Sequence, residues 1–477
     1  MGRSHLLKKM PRLLLTVITA LFIGELILGY NGKLLLVGEI PVRVLTYALF
    51  LAALCGMLVH AAATKKLTWV HGDGESSVWR MLNPFDLVLA LFLLFNAIWV
   101  FIIPAFSGYD VEMALQQVKS TTLLLLYFPL LILMRIGYIR LYRAEPLIKF
   151  CLAGLALLHI FLYTGEKIYG DATFAIHFFE TLRSLTLGHS ERPPVMYPMN
   201  YFKIIYPTSL YLLMIFYFTH KSKLTPRTCI FYLLGLTALF LTLTKSLWMG
   251  LLFGFLFLFL FYFRNRMKGR IHYKKLVVCL SLAVVSGYIL NATLLDNYLF
   301  TRILNTFAVN STSAIKEGDI RIQEGVNEEL RFTDELEGTK RANDTRLVQT
   351  RALLEQWRES PWIGFGYGSY TTKLLRSSME QPYLYEMLLP SLLLQIGVVG
   401  VAGWAAFFIF IVWFVKNKAA EAAGALYLVV AIIVASQFNP FILGAPSMSM
   451  LLYCFLTIRL AAETQDKAKT KSSIPRI

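Results

Sequence analysis

The residues with the clearest chemical potential lie in the second half of the chain. The stretch DTRLVQTRALLEQWRESP, residues 344–361, is built of good helix formers, with Asp344 or Thr345 available as an N-cap and Pro361 as a stop. At helical spacing Arg346, Thr350, Leu353 and Trp357 fall in one stripe, with Leu347, Leu354 and Arg351 beside it and Glu355 facing away. Arg346 therefore shares a face with the helix's apolar anchors, and two readings follow. Either its stem lies along a lipid headgroup or it pairs with an acid of the same segment, or it is a guanidinium placed to bind an anion. A second cation, Lys245, sits in LTLTKSLWMG between two apolar runs. The stretch PWIGFGYGSY, residues 361–370, spaces three glycines between aromatics. A nucleotide fingerprint would need a strand–turn–helix context, and a phosphate loop would need GxxxxGK[ST]. Neither is present, so the glycines are expected to allow tight turns after the helix.

The elements that position these groups are membrane spans. Of 477 residues, 57% are hydrophobic and only 16% charged, whereas about a quarter of an average soluble domain is charged. Apolar runs of roughly 20 residues, the length that crosses a bilayer as a helix, recur along the chain. The sequence predicts an all-α integral membrane protein of about twelve spans. They cover 12–30, 41–63, 84–106, 114–136, 146–163, 202–219, 227–244, 247–263, 275–295, 386–414, 422–438 and 441–458. The basic segments KKLTWVHGDGESSVWR, RIGYIRLYR, HKSKLTPR, RNRMKGRIHYKK, VKNK and DKAKTKSSIPR fall in alternate connections. With that span count they share one side with both termini, which the positive-inside rule makes cytoplasmic. The net charge of +17 then reflects topology and anionic-lipid contact, and a nucleic-acid partner is not expected. The five cysteines sit in or beside apolar runs without CxxC spacing, and they suggest neither a disulfide framework nor a metal site.

Two connections on the outer side are long, 165–201 and about 296–385. This gives a predicted division into a membrane domain at 1–295, an outer-loop subdomain at 296–385, and a second membrane part with a cytoplasmic tail at 386–477. The later loop opens with an acid-rich stretch, 316–345, for which a mobile segment and a small hairpin are both open. Lys245 falls on the outer side, where the charge rule disfavours lysine, which favours a functional role over simple snorkelling.

In its order of features the chain resembles the O-antigen ligase and polymerase superfamily. Those features are a cation in a turn between two spans (LTLTKSLWMG), a long outer loop with an arginine-bearing helix, and then P-x-x-G-x-G-x-G. A span follows that opens on a polar residue and carries G-x-x-G, here YLYEMLLPSLLLQIGVVG with Glu386, Gly397 and Gly400. The resemblance covers about the second half of the chain. It implies a GT-C-like membrane glycosyltransferase that uses a polyprenyl-diphosphate-linked oligosaccharide donor and a glycan acceptor, with no metal and no cofactor. Such a reaction needs cations on the diphosphate leaving group and a base near the acceptor hydroxyl. The resemblance thus assigns Lys245 and Arg346 to catalysis with Glu386 as base, and Arg351 to binding. Arg192, Tyr197 and Tyr385 join Arg351 as substrate-binding candidates, with Arg183 and Tyr201 nearby in the earlier outer loop. Two departures stand out: Thr244-Lys245 where members commonly have Ser-Arg, and Tyr385-Glu386 where lipopolysaccharide ligases typically carry His-Asn. Glutamate can take a proton as histidine can, and its presence favours polymerase over ligase.

The expected activity is polymerisation of lipid-linked repeat units into a surface or secreted polysaccharide on the outer face of a bacterial inner membrane. A ligase transferring the glycan to lipid A-core is the first alternative. The implied partners are the lipid-linked donor, the acceptor, membrane lipids, a flippase and a chain-length regulator. A transporter or flippase for lipid-linked sugars is the alternative of another class. That plan predicts two related six-span halves and often a long middle connection, whereas the middle connection here is HKSKLTPR.

Overall fold

The computed structural model describes residues 16–29, 36–37, 40–64, 82–169, 174–184, 195–196, 203–204, 206–264, 270–295, 297–298, 335–371, 381–416, 420–439 and 441–472. These are almost entirely helical. The helices are α1 (Thr16–Leu28), α2 (Val42–Ala63), α3 (Pro84–Ser107), α4 (Val111–Arg135) and α5 (Leu141–Tyr169). They continue as α6 (Phe174–Ser184), α7 (Leu212–Lys221), α8 (Pro226–Leu241), α9 (Lys245–Arg264) and α10 (Arg270–Thr293). The last four are α11 (Glu335–Trp357), α12 (Leu388–Val415), α13 (Ala420–Ser436) and α14 (Ala445–Ser472). Extended backbone is confined to two antiparallel ladders, Leu36–Val37 with Ile40–Pro41 and Val195–Met196 with Lys203–Ile204.

The all-α membrane class is as the sequence predicts. Among the described residues, eight helices are long and apolar enough to cross a membrane, and three more, Thr16–Leu28, Pro226–Leu241 and Ala422–Ser436, are apolar but shorter. The segment expected at 202–219 holds a 3₁₀ turn, Pro207–Tyr211, that runs into α7. The chain packs as two units, one of residues 1–83, 123–196 and 202–243, the other of 84–122, 197–201 and 244–477.

In the first unit His159 of α5 is fully buried, with Nδ1 against the Leu155 carbonyl at 2.8 Å and Nε2 against the Ser209 hydroxyl at 2.7 Å. That is the commoner, hydrogen-bonded outcome for an ionisable group inside a span. The second unit carries the arginine helix and the glycine loop. In the same unit Arg459 Nε donates to both carboxylate oxygens of Asp86 at 3.1 and 3.0 Å, both residues being almost wholly buried.

One local expectation is corrected. Asp344 and Thr345 do not cap a helix start, because α11 begins at Glu335 and both lie inside it. The helix runs through Gly338 and Asn343 despite their low propensity, which tertiary context overrides, and Asp344 is buried inside it. Of the acid-rich stretch, 335–345 is therefore helical, and 316–334 lies outside the described residues.

Candidate active site

The glycine loop is spliced into a broken helix. Inside α12, Gly397 has φ 62° and ψ −173°, a backbone state that only glycine takes readily. A regular helix would pair the Val398 and Val399 N–H groups with the Leu394 and Gln395 carbonyls. Instead Val398 and Val399 donate to the Pro361 and Trp362 carbonyls, each at 3.0 Å. The released Leu394 and Gln395 carbonyls accept from Phe365 and Gly366 at 3.0 and 2.7 Å. These four backbone groups freed by the break are thus satisfied by the loop, as burial in an apolar medium demands.

The same loop is fastened to α3. That helix contains a π turn, Ile98–Ile102, immediately before Pro104. Proline has no N–H, so the Trp99 carbonyl, which a π turn would direct to residue 104, is left over. It accepts from the Tyr367 N–H at 2.9 Å, and the Trp99 indole donates to the Ile363 carbonyl at 2.6 Å. On α4, Gln117 accepts from the Gly368 N–H at 2.6 Å. Gly366 and Gly368, with φ of 91° and 80°, lie so close to Pro104 and to the Ala114 backbone that a Cβ on either would collide at 2.3 or 2.5 Å. The glycines thus serve both turning and close approach.

This clamp sets the C-terminal end of α11. The Trp357 indole donates to the Pro361 carbonyl at 3.0 Å, and Gln356 donates to the Tyr109 hydroxyl at 2.7 Å, which passes a bond on to the Tyr370 carbonyl. Leu353 of α11 packs with Tyr385 and with Leu394 of α12. The Tyr385 hydroxyl accepts from the Thr371 N–H at 2.7 Å. Burial pushes this phenol up from its ordinary value, with the Thr371 hydrogen bond opposing, so it stays neutral.

Against that frame the structure joins two of the residues singled out in the sequence. Arg346 Nε donates to Glu386 Oε2 at 2.7 Å, with the two side chains 33% and 20% exposed. The pair is solvent-reachable but held. The Glu386 backbone N–H is fixed in turn by Gln349 Oε1 at 3.1 Å. Lys245 is half-buried at the first position of α9. Its neighbour Ser246 accepts from Asn439 Nδ2 at 2.6 Å, while the Gln437 carbonyl accepts from Leu388 N–H at 3.2 Å. The turn after α13 thereby holds both the start of α9 and the segment carrying Glu386. Leu243, two residues before Lys245, has φ 48°, a strained state for a branched side chain.

Arg351 is exposed, about 140° around α11 from Arg346. Tyr385 is buried as a packing anchor, so its ring face is covered in this structure. Arg192 and Tyr197 lie outside the described residues. Sequence reasoning passed over Gln349, Gln117, Gln395 and Asn439. A glutamine is an ordinary helix former, and its only available signal was the shared face of Arg346 and Gln349 three residues on.

The pair can position a carboxylate to accept a proton beside a cation that stabilises departing negative charge. No curated protein matches the chain. Residues 230–405, from α8 into α12, match the family model described as O-antigen ligase. That segment contains Lys245, Arg346, Arg351, Tyr385 and Glu386, and the match supports the chain's place in the O-antigen ligase and polymerase superfamily.

Proposed function

We propose that this protein polymerises polyprenyl-diphosphate-linked oligosaccharide repeat units on the outer face of a bacterial inner membrane, with Glu386 as base and Arg346 and Lys245 as leaving-group cations. The observation that carries this reading is the 2.7 Å contact between Arg346 and Glu386, residues 40 apart in sequence. In the reaction, Glu386 takes the proton of the acceptor hydroxyl as its oxygen bonds to the anomeric carbon of the donor. The bond from that carbon to the diphosphate breaks, and its electron pair leaves with the diphosphate. Arg346 and Lys245 hold the charge that accumulates there. Arg351, Arg192 and Tyr197 are proposed to bind the glycan, and Tyr385 to hold Glu386 in place. A flippase would supply the donor and a chain-length regulator would set product size.

A second reading has its own support. The matching family model is described as O-antigen ligase, and transfer of the glycan to lipid A-core would use the same carboxylate and cations. Glutamate at 386 in place of the His-Asn of typical lipopolysaccharide ligases favours the polymerase. The test is replacement in cells: Lys245→Ala, Arg346→Ala and Glu386→Gln should each abolish polymer while the protein remains in the membrane. Full polymer in all three variants would refute the assignment of the site.

A further inference from the structure

Gln349 is one helical turn beyond Arg346 on α11 and is completely buried. Its Oε1 accepts the Glu386 backbone N–H at 3.1 Å. Only an oxygen can accept that N–H, so the orientation of the amide is settled and Nε2 is turned away from the Glu386 backbone. Nε2 is buried and has no hydrogen-bond partner among the described residues, although an amide donor removed from water without an acceptor costs free energy. A neutral donor held beside the Arg346–Glu386 pair suits an uncharged oxygen better than an ion, because the pair already supplies both charges.

We propose that Gln349 is an acceptor-binding residue of this site, fixing Glu386 through Oε1 and donating from Nε2 to a hydroxyl or ring oxygen of the acceptor glycan. The inference rests on the glycosyltransferase reading above. An oxygen bonded to this amide would lie next to Glu386, the group that must meet the acceptor hydroxyl. The alternative recipient in the same place is an oxygen of the diphosphate.

The test compares Gln349→Met and Gln349→Glu with wild type and Glu386→Gln, using purified full-length protein in lipid nanodiscs and a lipid-linked repeat unit. Gln349→Glu keeps an oxygen for the Glu386 N–H but buries a carboxylate in place of the amide, so it should unfold below the wild-type temperature; an ionised carboxylate has no donor to offer, and rates are normalised to folded protein. Loss of the donor should lower kcat/KM about tenfold in Gln349→Glu, mainly through KM, whereas Gln349→Met also frees the Glu386 N–H and should lose kcat as well. Inhibition by free polyprenyl diphosphate should be unchanged. Wild-type kinetics in Gln349→Glu would overturn the proposal. So would weakened inhibition by polyprenyl diphosphate, which would place the amide on the leaving group. Full activity of Glu386→Gln would instead overturn the reading of the site itself, so the two failures are distinguishable.

Discussion

Replacing Arg346 should separate catalysis from stability. Arg346 and Glu386 side chains are 33% and 20% exposed, so their attraction is screened and contributes at most about 1 kcal/mol to folding. The apolar face of α11 is held independently by Leu353 against Tyr385 and Leu394, and its C-terminal end by Gln356 and Trp357. Arg346→Ala should therefore leave membrane abundance and the unfolding transition close to wild type. For the reaction, removing one preorganised charge partner costs about 100- to 1,000-fold in rate, or about 2.7–4 kcal/mol of barrier. Arg346→Lys keeps the charge but loses the Nε contact and the planar fork, so its rate should fall between wild type and alanine. The assay is the initial rate of chain extension by purified protein, normalised to folded protein. A rate for Arg346→Ala within tenfold of wild type would refute the leaving-group role. An unfolding loss that matches the activity loss would show that Arg346 is structural.

Three further outcomes follow from the fold. Gly366→Ala combines a φ of 91° with a Cβ 2.3 Å from the Pro104 ring. It should destabilise by about 1–3 kcal/mol or more, whereas Gly24→Ala, with nothing within 4 Å, should be neutral or slightly stabilising; thermal unfolding of the two variants checks this. Arg459→Met strands the buried Asp86 carboxylate and should cost about 3–5 kcal/mol, with much of the loss recovered by adding Asp86→Leu, as read from membrane abundance and unfolding temperature. Tyr385→Phe removes the hydroxyl that accepts from the Thr371 N–H and should lower stability by about 1 kcal/mol, measured in the same way.

Much of this arrangement could be read in the sequence where the signal was periodic or compositional. Each expected span contains a helix, because apolar runs of crossing length permit little else. The stripe through Arg346 and Leu353 correctly placed both on the packed face of α11. The role of the glycines was only half legible. Their spacing announced turns, but the exchange of hydrogen bonds with the break at Gly397 joins segments about thirty residues apart and leaves no local mark. Likewise the π turn in α3 is hinted at by Pro104 alone, and the Asp86–Arg459 pair spans 373 residues. The N-cap expected at Asp344 failed for the opposite reason. Gly338 and Asn343, poor helix formers just before Asp344, made a start there plausible, but the helix continues through them and local propensity is overridden.

The central claim is that the protein joins lipid-linked repeat units using the Arg346–Glu386 pair. The most direct measurement incubates purified protein with its lipid-linked repeat unit alone, beside Glu386→Gln, and resolves the products by size. The account predicts a ladder of longer lipid-linked chains from the wild type and none from Glu386→Gln. Transfer that begins only when lipid A-core or another acceptor is added would contradict the polymerase and establish a ligase. No transfer to any acceptor would contradict the glycosyltransferase reading altogether.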